Sequence, residues 1–172
     1  METINVLEHG FVALIDVMGD DRAIADAARV STGKTAKTAE DDKNLIRHLM
    51  RNQHTSPFEM AELKFHIKLP IFVARQFIRH RTANVNEISG RYTELKDEFY
   101  IPDSENIKHQ SKTNKQGSDR TFDNGLDTAF QAQLSAKSGE AFIQYHDFLS
   151  SDLARETARL FLPLNTYTEW YW

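Results

Sequence analysis

Cysteine is missing from all 172 residues. Its absence removes disulfides, thiolate metal sites and a cysteine nucleophile together. No apolar run approaches the roughly 20 residues that a membrane helix needs. The opening Met1-Glu2-Thr3-Ile4-Asn5 lacks a basic stretch followed by an apolar one, so no secretory leader is expected and the reading is cytoplasmic. A basic excess is also lacking: the net charge is −4, which argues against non-specific binding to nucleic acid. None of the 7 histidines forms the His-x-x-x-His pair of a helical zinc site, and no metal is expected. Proline occurs only four times, and Pro57, Pro70, Pro102 and Pro163 each fall where an element is expected to begin or end.

The remaining composition, 40% apolar and 27% charged, is that of a globular chain long enough to bury a core. Residues 1–172 read as a single domain. Ile4 to Met18, broken at Gly10, predicts a hairpin. Asp20 or Asp21 can cap a helix through Val30, with Ile24, Ala27, Ala28 and Val30 on one face. A polar stretch from Ser31 to Glu40 precedes a second amphipathic helix bearing Leu45, Ile46, Leu49 and Met50. Ser56-Pro57-Phe58-Glu59 reads as a helix start in which Ser56 caps and Glu59 supports the cap. Leu63, Phe65, Ile67 and Leu69 alternate with polar residues, which predicts a half-buried strand that Pro70 ends. A helix follows from Ile71 to about His80. Phe99 to Ile101 suggests a short strand, and Ser104 to Asp119 a mobile loop. A long helix is expected from about Asp123 to Leu149, with Leu126, Phe130, Leu134, Ala141, Tyr145 and Phe148 facing the core and Gly139 weakening its continuity. A last helix, Asp152 to Leu162, leads to an aromatic ending, Tyr167 to Trp172. The sum is an α+β fold with a mostly antiparallel sheet and packed helices.

Chemistry-bearing residues concentrate between Arg75 and Arg91. Arg75 and Arg79 stand one helical turn apart, and Arg79, His80 and Arg81 fall near a helix C-terminus, where the dipole favours cations. Asn84, Asn86, Glu87, Ser89 and Arg91 then offer donors and acceptors along a segment without apolar periodicity. Guanidinium forks match phosphate oxygens, and Ser89 with the amides around Gly90 can complete a phosphate cradle. A phosphate-bearing ligand is the favoured reading; a solvated basic surface and a nucleic-acid contact are the alternatives.

Arg79-His80-Arg81 through Arg91 resembles the signature Arg-His-Arg-x-x-Ser-x-Asn-x-x-Ser-x-Arg of the flavin-dependent thymidylate synthases (the ThyX family). Asn84 stands where that family usually has serine; the other fixed positions match. Gly10-Phe11-Val12, Ala27 to Ser31, His54 to Glu59, Pro70 to Gln76, Phe99 to Pro102 and Leu162-Pro163-Leu164-Asn165 are similar to further landmarks, in the family's order.

The resemblance implies a homotetramer that uses FAD, NADPH and 5,10-methylenetetrahydrofolate to methylate dUMP to dTMP, with FAD and dUMP bound where subunits meet. Carried over by position, Ser56, Arg79, His80, Arg81 and Glu87 contact FAD, with His54 and Ser31 nearby. Gln76, Arg79, Glu87, Ile88, Ser89, Gly90, Arg91 and Arg159 hold dUMP. No catalytic residue is assigned. Ser89 lacks an adjacent general base, so it reads as a binding residue. Family members continue for several tens of residues past the Leu-Pro-Leu-Asn landmark. The chain is therefore expected to lack the C-terminal part of the family domain, with a non-catalytic nucleotide-binding or assembly subunit as the alternative function.

Overall fold

The computed structural model describes residues 2–33 and 38–172. Residues 34–37 of the expected polar stretch Ser31 to Glu40 lie outside the described residues. Among the described residues five strands form one sheet in the order β1 (Thr3–Val6), β2 (Gly10–Met18), β3 (Glu62–Pro70), β7 (Tyr167–Tyr171) and β4 (Asn86–Glu87), and two more pair separately. With five helices among the described residues and an antiparallel sheet, the architecture is the α+β class the sequence implies. Contacts within the chain gather into two compact units. The first holds Ala13–His66; the second holds Ile4–Val12 and Ile67–Trp172.

The expected N-terminal hairpin is β1 (Thr3–Val6) and β2 (Gly10–Met18). A Cβ at Gly10 would lie 2.5 Å from the Val6 carbonyl oxygen, so the turn closes only over a glycine. Within the first unit, α1 (Asp21–Val30) starts where Asp20 accepts a hydrogen bond from the Ala23 amide at 2.9 Å. It buries Ile24, Ala25 and Arg29. Val30 is 82% exposed, which corrects the expected face. It lies five positions after Ala25, roughly 140° round the helix. α2 (Ala39–Arg51) is capped by Thr38 and buries Asp42 and Leu49, whereas Met50 is exposed, another departure from expectation.

Ser56–Met60 is a single 3-10 turn with no side-chain cap, so neither Ser56 nor Glu59 caps as expected. Pro57 does take the early position. Gly19 explains part of the tightness there. Its φ is +73°, and a Cβ would meet the Met60 carbonyl at 2.3 Å.

β3 (Glu62–Pro70) keeps the expected alternation only in its second half, where Ile67 and Leu69 are buried; Leu63 is 56% exposed. α3 (Ile71–Phe77) follows Pro70 and stops short of His80. β4 is the two-residue strand Asn86–Glu87.

The rest of the second unit departs more from expectation. Phe99 makes one isolated bridge to Thr166 in place of a strand. Between Ser104 and Asp119 there is ordered structure where a mobile loop was expected. β5 (Lys108–Gln110) pairs antiparallel with β6 (Ser118–Thr121), and the Gln110 amide donates to the Lys115 and Gly117 carbonyls at 3.0 and 2.9 Å. Side-chain-to-backbone bonds build this hairpin, and they leave no apolar periodicity to read.

α4 (Leu126–Ser150) runs unbroken through Gly139. Its buried residues are Ser138, Phe142 and Tyr145; Leu126, Phe130 and Phe148 are exposed, contrary to expectation. The expected final helix is two pieces, α5 (Arg155–Ala158) and a 3-10 turn, Arg159–Phe161. The aromatic ending is β7 (Tyr167–Tyr171), which sits between β3 and β4. The second unit's core gathers Phe142, Tyr145 and Ala158, with Phe99, Leu149, Leu153 and Leu162 packed around them. Among the described residues no helix is long and apolar enough to cross a membrane.

Candidate functional site

Three candidate residues belong to the first unit, and all three are exposed. Ser31 ends α1, its hydroxyl donating to the Ala28 carbonyl at 2.9 Å. His54 follows α2, its amide donating to the Leu49 carbonyl at 3.0 Å and its ring standing edge-on to His48. Ser56 opens the 3-10 turn.

The other ten belong to the second unit. Gln76 lies in the last turn of α3, and the Arg79 and His80 amides donate to the Gln76 and Phe77 carbonyls at 3.2 and 3.1 Å. These short-range bonds end the helix and send Arg79, His80 and Arg81 outward, all exposed. Phe77 anchors the run. Its ring meets Trp172 at 4.5 Å and Trp170 at 6.0 Å between centroids, and the His80 imidazole packs against it at 5.9 Å. Among the described residues no carboxylate pairs with Arg75, Arg79 or Arg81. Uncompensated cations so close in sequence favour an anion.

β7 sets the next segment. Asn86 pairs with Tyr171 and Glu87 with Trp170, and the Ile88 amide donates to the Glu169 carbonyl at 2.8 Å. The Thr168 hydroxyl donates to the Glu87 carboxylate at 2.5 Å. The chain then turns. Ser89 accepts the Tyr92 and Thr93 amides at its carbonyl, at 2.9 and 3.1 Å, and the Arg91 amide at its hydroxyl, at 3.3 Å.

Gly90 is buried at this turn, and a Cβ there would lie 3.3 Å from Arg159 Cδ and from Leu95 Cδ1. The stem of Arg159 therefore lies along Gly90. The Arg91 guanidinium meets Glu156 at 3.2 Å, both ends more than half exposed. Such a pair contributes about 0–1 kcal/mol and exchanges readily for a better anion. So the fold brings Gly90, Arg91 and Arg159 together. Gln76 and the Arg79–Arg81 run share no hydrogen bond or ion pair with the Ser89–Arg91 turn among the described residues.

The segment after the turn is fastened at several points. Leu95 donates its amide to the Tyr145 hydroxyl at 3.1 Å, Glu94 pairs with Arg155 at 3.4 Å, and Asp97 with His146 at 2.6 Å. Lys68 pairs with Glu98. The first three contacts tie the residues just after the Ser89–Arg91 turn to α4 and α5, and the last ties them to β3. Glu156 and Thr168, which meet Arg91 and Glu87, went unread in the sequence, whereas Tyr145 was read as a core position and is one. Thr168 lies 81 positions from the residue it touches, and only strand pairing reveals it.

Residues 13–172 match the Thy1 family model, described as thymidylate synthase complementing protein. The chain is 56% identical over 170 residues to a flavin-dependent thymidylate synthase of Thermus thermophilus, covering 99% of this chain and 61% of that protein. It is 53% identical over 171 residues to the flavin-dependent thymidylate synthase of Wolbachia pipientis wMel, covering 99% and 60%. It thus spans about three-fifths of the length of these curated relatives. Among solved structures, the UMP/dUMP methylase PolB from Streptomyces cacaoi, bound with 5-Br dUMP, superposes with a TM-score of 0.83 at 34% identity. That match covers 94% of this chain and 71% of PolB.

Proposed function

This chain belongs to the Thy1 family of thymidylate synthase complementing proteins, and from that premise we propose that it serves flavin-dependent methylation of dUMP to dTMP. The relatives' names supply the reaction class, and the PolB complex with a brominated dUMP supplies the substrate class. The observation that carries the reading in this chain is the turn itself. Gly90 leaves room for the Arg159 stem, Arg91 follows it with its guanidinium on the exposed Glu156, and the Ser89 hydroxyl holds the Arg91 amide. Arg91 on the turn and Arg159, whose stem lies along Gly90, bring two guanidinium groups to one neighbourhood, which suits the phosphate of a nucleoside monophosphate. Gln76, Ile88 and Glu87 are read with them as dUMP contacts, and Arg79 as shared.

FAD fits the donor set: Arg79, Arg81 and His80 project from the end of α3 without a paired carboxylate, as a diphosphate requires. Those three with Glu87 are read as FAD contacts of the second unit, and Ser31, His54 and Ser56 as those of the first. When bound, reduced FAD supplies the hydride that brings a one-carbon unit from methylenetetrahydrofolate to the methyl level, with NADPH as the electron source. The protein's part is to fix the nucleotide by its phosphate and to polarise the uracil with nearby cations. Leu160, next to Arg159 in the chain, is 78% exposed, and an apolar side chain so exposed supports the reading of a homotetramer in which copies meet near the sites.

The test is FAD titration followed by flavin fluorescence, with dUMP-dependent NADPH oxidation measured in the presence of methylenetetrahydrofolate. The expected protein takes up FAD, turns yellow and binds dUMP, with turnover poor or absent in a chain that spans about three-fifths of its relatives' length. A protein that binds neither FAD nor dUMP would overturn the reading.

A further inference from the structure

We infer that Thr168 is the positioning residue for Glu87, fixing one carboxylate oxygen so that the other is aimed at the ligand. This rests on the reading of Glu87 as a ligand contact. Trp170 stands directly opposite Glu87 across the β4–β7 pair, and Thr168 lies two positions along the same strand. Side chains two apart on a strand face the same side, so Thr168 is Glu87's diagonal neighbour.

The two residues differ in what they expose. Thr168 is 5% exposed, whereas Glu87 is exposed. A buried hydroxyl needs a partner, and a strand usually offers a carbonyl. Here the hydroxyl reaches across the sheet to Glu87 Oε1. Threonine is stiff at χ1, and this one is locked in a strand, so the donor is held before any ligand arrives. Glutamate has three rotatable bonds, and an exposed one samples many rotamers. With Oε1 taken by Thr168 and Trp170 as the opposite wall, the side chain is held to one arrangement. Trp170 is itself braced by Phe77 and Trp172. Oε2 then presents its lone pairs to a ligand O–H or N–H. The bond is charge-assisted and therefore of the strong kind.

Thr168→Val removes the hydroxyl while keeping the branched shape, and Thr168→Ser keeps the hydroxyl with less bulk. Both are compared with Glu87→Gln and the Glu87→Gln/Thr168→Val pair. The readouts are dUMP binding by calorimetry, FAD binding by fluorescence and the thermal midpoint.

The expected pattern is a roughly tenfold loss of dUMP or FAD affinity in Thr168→Val, from one charge-assisted bond. Thr168→Ser should recover most of it, and the pair should lose scarcely more than Glu87→Gln alone. Thr168→Val binding both ligands as the parent does, while Glu87→Gln binds poorly, would overturn the positioning role and leave the reading of Glu87 intact. So would a lowered thermal midpoint with unchanged affinities, because that marks a structural role only. Glu87→Gln binding both ligands normally would overturn the reading of Glu87 and the inference together.

Discussion

At the scale of single residues, not all the cations between Arg75 and Arg91 are equivalent. Arg91 leaves a turn whose backbone is fixed by Ser89, and its exposed partner Glu156 is easily displaced. Arg75 lies on the exposed side of α3 and outside the matched signature. Arg91→Ala should therefore weaken dUMP binding by roughly 1.5–3 kcal/mol, the value of a hydrogen bond to a charged group, and Arg75→Ala by much less. Isothermal calorimetry on the two variants separates them; equal, small losses would take Arg91 out of the site. The difference was readable from sequence because the signature fixes Arg91 and not Arg75. Glu156 was not, since a glutamate in a short helix carries no mark of which arginine it will meet.

Among the elements, α1 and α2 are joined by one unusual contact. Arg29 and Asp42 approach at 2.5 Å with side chains only 10% and 11% exposed. Asp42 Oδ1 makes no aligned hydrogen bond, so the contact is ionic in character. Removing one partner leaves the other charge buried, which costs about 3–5 kcal/mol, whereas replacing both with apolar residues is close to neutral. Arg29→Ala should accordingly lower the thermal midpoint sharply, and Arg29→Met with Asp42→Leu should restore most of it. Differential scanning calorimetry decides the point, and a small loss in Arg29→Ala would show that Asp42 rehydrates.

That pair also shows which parts of the fold were legible. Caps and turns were readable where the chemistry is local: Asp20 at α1, Gly10 in the hairpin and Pro70 before α3 all stand where sequence places them. Burial was less readable. α1 spends a core position on Arg29 and leaves Val30 exposed, and α4 buries Ser138 while Phe130 is exposed. Periodicity assumes that apolar residues point inward; these helices put polar groups inside because partners on other elements satisfy them. Ser138 bonds to Asn165 of the Leu162–Asn165 landmark, 27 positions away. The β5–β6 hairpin was missed for a related reason, because its bonds are polar and local to a loop without alternation.

For the molecule as a whole, the absence of cysteine bears on the proposed chemistry. Making uracil C5 nucleophilic by addition at C6 calls for a strong nucleophile, and this chain has no thiol to supply one. Ser89 supplies the hydroxyl of the Ser89–Arg91 turn, but its oxygen accepts the Arg91 amide. No histidine or carboxylate is hydrogen-bonded to it among the described residues. An unactivated hydroxyl is a weak nucleophile, so the proposed chemistry relies on polarisation of the uracil by cations. The expected outcome is that 5-fluoro-dUMP with methylenetetrahydrofolate leaves no covalent adduct on the protein, and that N-ethylmaleimide treatment does not alter dUMP binding. Intact-protein mass spectrometry reads the first and calorimetry the second. An adduct mapped to Ser89 would show that the hydroxyl is activated in the assembled site, and polarisation by the cations would then no longer account for the reactivity of C5.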